Sequence, residues 1–221
     1  MAKRPILKLC YFIATLPYIL LSKVAFKLNL WGFKKDVASC FEKLEKFEQV
    51  QLSNELLNTL VVAEDHRHRY HFGIDQIAFC RAIFCTLMGS IQGASTIEQQ
   101  FVRVATNRYQ RTIKRKLFEQ MLAVFVSSSI NKECIATAYL CIAYYGKNTP
   151  TALGIKNTDV KYAEAIPIIS RLKYPEPSMK SDKWLIKFKN RNNHISYLLS
   201  TANKSFKRTK NSWLLFVPHK L

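Results

Sequence analysis

The spacing of apolar residues predicts a chain built mainly from helices. Val37, Phe41, Leu44 and Phe47 recur at intervals of three or four positions and predict a helical segment over residues 36–60. The same period predicts further helices over residues 75–88, from 95 onward, and over 112–130, 132–145, 160–172 and 183–199. Alternating patterns typical of strands are few, so the sequence predicts a mainly α fold.

The first residues predict a membrane anchor. Residues 5–21 are apolar except for Lys8 and a few small polar residues, and a spanning helix needs about 20 predominantly apolar residues. A cleaved secretory signal and an amphipathic helix lying on the membrane surface are the alternatives. No convincing small-residue cleavage site follows, which favours an uncleaved anchor. We therefore predict an anchor with its basic flank over residues 1–35, a folded domain over 36–200 and a basic tail over 201–221.

Two helix starts carry local signals. Asp75 precedes an apolar periodic segment and is a typical N-cap, and Gly89 follows the end of that segment. Ser95 and Glu98 have the spacing of a capping box, in which the serine and the acid side chains each accept a hydrogen bond from a backbone N–H of the first turn. The capping box explains Glu98 without a catalytic role.

The charge balance predicts an anionic partner. The chain has 34 Lys and Arg against 15 Asp and Glu, a net charge of +19, which suits nucleic acid, an acidic membrane surface or a phosphorylated substrate. No helix-turn-helix, zinc-finger or RNP signature is present, and an apolar N-terminus is an unusual companion for DNA or RNA binding. We therefore predict no nucleic-acid partner; attraction to anionic lipid headgroups is the simplest explanation of the charge.

Two acids stand out in this basic chain. Glu64 follows an apolar segment and precedes a cluster of bases, and Glu119 lies 55 residues later at the end of a basic run that begins at Arg111. Arg115 and Lys116 are four and three residues before Glu119, so on a helix they share its face and should lower its pKa. A solvated helix pair of Arg115 and Glu119 is the simpler alternative.

A second polar stripe accompanies these acids. Ser95, Gln99 and Arg103 are spaced by four and would lie on one helix face, where hydroxyl, amide and guanidinium can contact one polar ligand. Three nearby histidines, at positions 66, 68 and 71, suggest a zinc site. Their spacing matches no recognised metal motif and no HExxH is present, so we predict polar contacts and no metal ligand.

Four motifs in order resemble the peptidoglycan glycosyltransferase domain, the family of monofunctional transglycosylases and of the glycosyltransferase half of bifunctional penicillin-binding proteins. The resemblance covers about residues 40–200. Its motifs are Glu64-Asp65 with His71-x-Gly73, Gln92-Gly93-Ala94-Ser95-Thr96-Ile97-x-Gln99-Gln100, Arg111-Thr112-x-x-Arg115-Lys116-x-x-Glu119, and Lys132-x-x-Ile135 with Tyr139-Leu140.

The resemblance implies a lysozyme-like, two-lobed fold with a cleft and a hydrophobic face dipping into the membrane. It implies polymerisation of lipid II: the acceptor GlcNAc 4-hydroxyl attacks C1 of the donor MurNAc, and undecaprenyl diphosphate leaves. Glu64 would be the general base and Glu119 would assist the donor diphosphate. The positions that would bind the donor are Ser95, Gln99, Gln100, Arg103, Arg111 and Lys116.

The same resemblance sets expectations for cofactors, partners and location. No cofactor is required, although a divalent cation (Mg²⁺ or Mn²⁺) near the donor diphosphate is compatible with the family. The expected partners are lipid II, the nascent glycan strand, the membrane and other cell-wall synthesis proteins. These include a transpeptidase, since no Ser-x-x-Lys, Ser-Asp-Asn and Lys-Thr-Gly series is present. The expected location is the bacterial inner membrane, with the catalytic domain on the periplasmic side.

The sequence departs from the family pattern at several positions. His68 stands where phenylalanine is usual, Glu98 where a small hydroxyl residue is usual, and Arg103 where lysine is usual; Val104 and Cys141 each replace an asparagine. The segment after Gly146 is shorter than typical. Both acids are present, which favours an active enzyme; the alternative is a weakened protein that binds lipid II or glycan as a scaffold. The cations near Glu119 favour a phosphate leaving group over lytic cleavage.

Overall fold

The computed structural model describes residues 3–90, 92–147 and 161–207. Within these ranges the chain is mainly helical, and the strand-like contact is one parallel bridge between Gly146 and Glu176. The helices are α1 (Lys3–Lys27), α2 (Phe33–Lys46), α3 (Asn54–Glu64), α4 (Gln76–Leu87), α5 (Ile97–Ala105), α6 (Ile113–Ser129), α7 (Lys132–Ile142), α8 (Tyr162–Lys173) and α9 (Asp182–Lys207). The predicted mainly α fold with an N-terminal apolar helix is confirmed.

Helix boundaries follow the predicted positions to within about three residues, with two larger differences. The segment predicted as one helix over 36–60 is two helices, because the Ser53 hydroxyl accepts the Leu56 amide at 3.2 Å and starts α3 anew. Helix α9 continues to Lys207, beyond its predicted end at Leu199. The predicted N-cap Asp75 is confirmed, since its carboxylate accepts from Ala78 N at 2.8 Å. Residues 148–160, in the shortened segment after Gly146, and the predicted basic tail from residue 208 onward lie outside the described residues.

Two compact units divide the chain. The first comprises residues 1–51 and 64–143 and contains α1, α2 and α4 to α7; the second comprises residues 52–63 and 144–221 and contains α8, α9 and all of α3 except Glu64. In the first unit α5 packs against α6 and α7, around buried Phe101, Leu122 and Leu140. In the second unit α8 packs against α9. The predicted limits at residues 35 and 200, and the lysozyme-like two-lobed arrangement, stay predictions.

Helix α1 packs along α6 of its own unit. Among the described residues, Pro5–Lys27 form the one helix that is long and apolar enough, by length and composition, to cross a membrane. One face of it binds the unit: Tyr11 Oη donates to Asp75 at 2.8 Å, and Gln76 donates to Thr15 Oγ1 at 2.7 Å. The remaining surface exposes apolar side chains, among them Ile6, Leu9, Ile13, Leu16, Leu20, Leu21 and Val24.

Gly73 marks the tightest backbone approach in the first unit. Its φ is +84°, and an added Cβ would lie 2.7 Å from Ala123 O and 2.9 Å from Val124 N in α6. Its carbonyl accepts from Thr96 Oγ1 at 2.8 Å, so the same residue fixes the start of α5. No side chain is tolerated here without movement of α6 or of the turn.

We expect Gly73→Ala to lower the free energy of unfolding by at least about 2 kcal/mol, because it adds both a left-handed strain and a backbone clash. Denaturant titration of the detergent-solubilised protein measures this change. Gly93→Ala is the matched control, since a Cβ there meets nothing within 4 Å. Equal stability of the two variants would contradict the described packing of the turn on α6.

Candidate active site

The first candidate acid, Glu64, is the last residue of α3 and is half-buried. The Gln100 side-chain nitrogen, on α5, donates to Glu64 Oε2 at 3.2 Å. The other end of this amide is fixed, because Tyr139 Oη on α7 donates to Gln100 Oε1 at 2.6 Å. Burial, with the negative charge of Glu64 adding to it, raises the pKa of Tyr139, so this phenol stays a donor. The carboxylate therefore has one oxygen held in place by the protein.

The second candidate acid, Glu119, is buried on α6, with 3% of its side chain exposed. Arg103 binds it in a two-pronged fashion, through Nε to Oε2 at 2.9 Å and through Nη2 to Oε1 at 3.0 Å. Lys116 Nζ donates to Oε1 at 2.7 Å, and Arg115 donates to Oε2. Three cations thus surround one carboxylate. The predicted pair of Arg115 and Glu119 forms, but the carboxylate is buried rather than solvated.

The ionisation of this group follows from its neighbours. Burial alone would raise the pKa of Glu119, but the hydrogen bonds and charges of Arg103 and Lys116 outweigh it and lower the pKa, as predicted. The hydrogen bond to Glu119 raises the pKa of Arg103, and burial lowers the pKa of Lys116. Glu119 is therefore an anion that holds cations in position, not a group that exchanges protons near neutral pH.

The predicted polar stripe joins the same cluster, although Ser95 lies before the first residue of α5 and only Gln99 and Arg103 share a helix face. Ser95 Oγ accepts from Lys116 Nζ at 3.0 Å and from Arg103 Nη2 at 3.2 Å. Gln99 Oε1 accepts from Lys116 Nζ at 2.7 Å. Arg111 lies two residues before α6 and is exposed, and within the described part of the chain no hydrogen bond or ion pair joins it to this cluster.

A hollow lies on the cationic side of Glu119. It is small, about 10 Å³, which is room for about one water molecule. Its lining consists of Val102, Arg103, Thr106, Arg108, Arg115, Phe118, Glu119 and Leu122. Arg108 is held there by Asp36, with its Nε 2.7 Å from Asp36 Oδ2, and its guanidinium lies 4.7 Å from the centre of the Phe118 ring. Sequence reasoning missed Arg108, since its partner is far away in the chain and no motif spacing marks it.

Helix α5 brings both acids to one side of the unit. Gln100 binds Glu64 and Arg103 binds Glu119. Gln100 and Arg103 are three residues apart, which places them on one face of α5 within a single turn. Two acids 55 residues apart in sequence are therefore reached from neighbouring positions of one helix. The arrangement offers an oxygen base beside a cluster of fixed positive charges.

The predicted capping box at Ser95 is wrong. Thr96 is the N-cap of α5, and its hydroxyl accepts from Gln99 N at 3.2 Å. The helix thus starts one residue later than predicted, which makes Glu98 its second residue and turns this side chain inward. Glu98 is fully buried, and its Oε1 accepts from Lys132 Nζ at 2.7 Å. No sequence spacing linked Glu98 to Lys132.

The three histidines at positions 66, 68 and 71 lie in two different environments. His66 is exposed and lies 3.0 Å from an Arg67 guanidinium nitrogen, whereas His68 and His71 are buried around Asp65. His71 Nε2 lies 2.9 Å from Asp65 Oδ2, and His68 Nδ1 lies 3.3 Å from the same oxygen. Asp65 Oδ2 also accepts the Ile97 amide at 3.2 Å, so this carboxylate ties the residue after Glu64 to the first turn of α5.

Comparison with known proteins identifies relatives of this chain. The sequence model of the transglycosylase family matches residues 34–176. Penicillin-binding protein 1A of Haemophilus influenzae is 38% identical over 41% of this chain and 11% of its own length. Penicillin-binding protein 1A of Aquifex aeolicus is 33% identical over 43% of this chain and 14% of its own length. Penicillin-binding protein 2a of Streptococcus pneumoniae is 31% identical over 58% and 18%. The chain thus spans less than a fifth of the length of these relatives.

The family match includes Glu64, Glu119 and every candidate donor-binding residue. It also covers well over half of the 221 residues, so the resemblance in the four motifs is confirmed at the level of the whole domain. The chain belongs to the transglycosylase family, a family of glycosyltransferases.

Proposed function

We propose that this protein polymerises lipid II into β-1,4-linked glycan strands and releases undecaprenyl diphosphate. One observation carries the proposal: two neighbouring side chains of α5 bind the two acids. Gln100 binds Glu64, and Arg103 binds Glu119 within its cluster of cations. Alcohol attack needs a base, and diphosphate departure needs fixed positive charge. Membership of the transglycosylase family supports the same class of reaction.

Glu64 acts as the general base in this proposal. Its carboxylate takes the proton of the acceptor 4-hydroxyl while that oxygen forms a bond to C1 of the donor. The bond between C1 and the phosphate oxygen breaks, and its electron pair leaves with the diphosphate. Attack from the face opposite the leaving group inverts C1, which turns an α-linked donor into a β-linked product. Gln100 and Tyr139 orient the base through the amide that holds Glu64 Oε2.

The cations around Glu119 bind the leaving diphosphate in this proposal. Arg103 and Arg115 present planar guanidinium groups that suit phosphate oxygens, and Lys116 adds a point charge close to Ser95 and Gln99. Glu119 is a positioning residue, since it fixes these side chains before substrate arrives. Preorganised charges of this kind are effective because they need no rearrangement as negative charge develops.

The residues around Glu119 do not fit a bound Mg²⁺ or Mn²⁺ supplied by the protein. Both carboxylate oxygens already accept from cations, and the other described neighbours are cationic, amide or hydroxyl groups rather than further carboxylates. No step of the proposed reaction runs through a metal ion; the guanidinium and ammonium groups take the place of its charge.

The membrane location of this reaction rests on two apolar surfaces. Helix α1 exposes a long apolar side, and α4 exposes Ile83, Phe84, Leu87 and Met88, which are between 48% and 80% exposed. A patch of this kind on a folded unit suits contact with lipid. We propose that both surfaces contact the inner membrane and that the catalytic unit faces the periplasm. A transpeptidase partner would cross-link the strands.

Incubation of the purified full-length chain with labelled lipid II in detergent tests the proposal. We expect a ladder of glycan products and release of undecaprenyl diphosphate, with little change when Mg²⁺ and Mn²⁺ are omitted. Binding of lipid II without any product would favour the scaffold alternative instead. Shortening of preformed glycan strands would indicate lytic cleavage.

A further inference from the structure

We propose that Asp65, His68, His71 and Glu98 form a binding site for one divalent transition-metal ion of the Zn²⁺ type. Within the described ranges these four residues each place one possible ligand atom so that all four atoms lie within 4.8 Å of one another. All four side chains are buried, the carboxylate of Glu98 completely. The site is separate from the proposed catalytic groups and does not depend on their function.

The distances suit a tetrahedral ion. His71 Nε2 is 2.9 Å and His68 Nδ1 is 3.3 Å from Asp65 Oδ2. His68 Nδ1 is also 3.5 Å from Glu98 Oε1, the oxygen that Lys132 binds, so the second oxygen of the same carboxylate is close to the site. With metal–ligand bonds of about 2.0–2.1 Å, neighbouring ligand atoms of a tetrahedron are separated by about 3.3–3.4 Å. Since the four ligand atoms lie within 4.8 Å of one another, an ion enters between them with side-chain movements of about 1 Å or less.

One buried oxygen of the cluster has no partner. Glu98 Oε1 accepts from Lys132, but Glu98 Oε2 is buried without a hydrogen bond. An unsatisfied carboxylate oxygen in the interior is costly, and coordination to an ion would satisfy it. Two carboxylates also neutralise the charge of a divalent ion, and two imidazoles with two carboxylates form a ligand set suited to Zn²⁺.

Lys132 is compatible with the ion as an outer contact. Its ammonium is satisfied by Glu98 Oε1 at 2.7 Å and by the His68 carbonyl oxygen at 2.6 Å, and it lies farther, at 3.4 Å, from His71 Nδ1. Lys132 therefore binds Oε1 of Glu98 and leaves Oε2 available to an ion. Outer groups of this kind commonly fix the orientation of ligating carboxylates and histidines.

Two of the four ligands are departures from the pattern of the resembled family. His68 stands where that pattern has phenylalanine, and Glu98 where it has a small hydroxyl residue. The two positions are 30 residues apart in the sequence, yet His68 Nδ1 lies 3.5 Å from Glu98 Oε1. The site is thus a feature of this chain, completed by two substitutions around Asp65 and His71. It would tie the residue after Glu64 to α5.

Metal analysis of the full-length chain tests the proposal. We expect about one equivalent of Zn²⁺ per chain after purification in zinc-containing buffer, a raised melting temperature on adding Zn²⁺ to chelated protein, and tetrahedral Co²⁺ absorption on substitution. The matched variant is the double substitution His68→Phe with Glu98→Thr, which restores the family pattern and leaves Asp65, His71 and Lys132 in place. Its Zn²⁺ affinity should fall by more than about 100-fold.

His68→Gln alone serves as a second variant if the double variant does not fold, and it too should lose the Co²⁺ spectrum. Two results would overturn the proposal. One is substoichiometric metal with no melting shift in the unaltered protein. The other is equal metal binding by the unaltered and the double-variant proteins.

Discussion

Replacing Glu64 by glutamine is expected to reduce the rate of lipid II polymerisation by about 10²–10⁴-fold, because an amide cannot accept the proton of the attacking hydroxyl. The substitution preserves the size of the side chain, and the Glu64 side chain is only half-buried, so stability should change little. Product ladders from labelled lipid II, measured as initial rates at saturating substrate, report this loss. The effect should fall on kcat, since the carboxylate acts in the chemical step.

Two companion variants make this result specific. Glu42→Gln removes an exposed acid on α2 that pairs with its neighbour Lys43, and it should polymerise at the unaltered rate. Tyr139→Phe keeps the ring but removes the hydroxyl that orients Gln100, so a loss smaller than that of Glu64→Gln is expected. A Glu64→Gln protein that polymerises at the unaltered rate would show that Glu64 is not the general base.

Local spacing predicted much of the fold and part of the site, because helical periodicity is a property of neighbouring residues. The N-cap Asp75 and the shared face of Gln99 and Arg103 came from offsets of three and four, and the structure bears out both. Ser95, predicted on the same helix face, lies before α5 but still contacts Arg103. The start of α5 failed for a local reason: Ser95 and Thr96 are adjacent hydroxyl residues, and the cap falls on the one whose hydroxyl also reaches Gly73 O.

The contacts that sequence reasoning could not supply are long-range and electrostatic. Arg108 binds Asp36, and Glu98 binds Lys132 beside His68; in each case the partners lie on different helices or loops with no spacing rule between them. Charged side chains are usually read as exposed, since burying an ion is costly unless it is paired. Their burial here becomes visible only when the fold brings opposite charges together.

Replacing Arg103 by methionine is expected to lower the polymerisation rate by about 10²–10³-fold, the range typical for removal of one fixed charge from a developing anion. Arg103 is the only described residue that binds both oxygens of Glu119, and it also contacts Ser95, so its loss removes a phosphate ligand and loosens the cluster. Arg103→Lys, which carries the usual residue of the family, keeps the charge but loses the two-pronged bond to Glu119, so we expect a loss smaller than that of Arg103→Met. The exposed cation Lys187 of α9 supplies the control, since Lys187→Met removes equal charge far along the chain from the cluster. Unaltered donor KM and kcat in Arg103→Met would show that the diphosphate binds elsewhere.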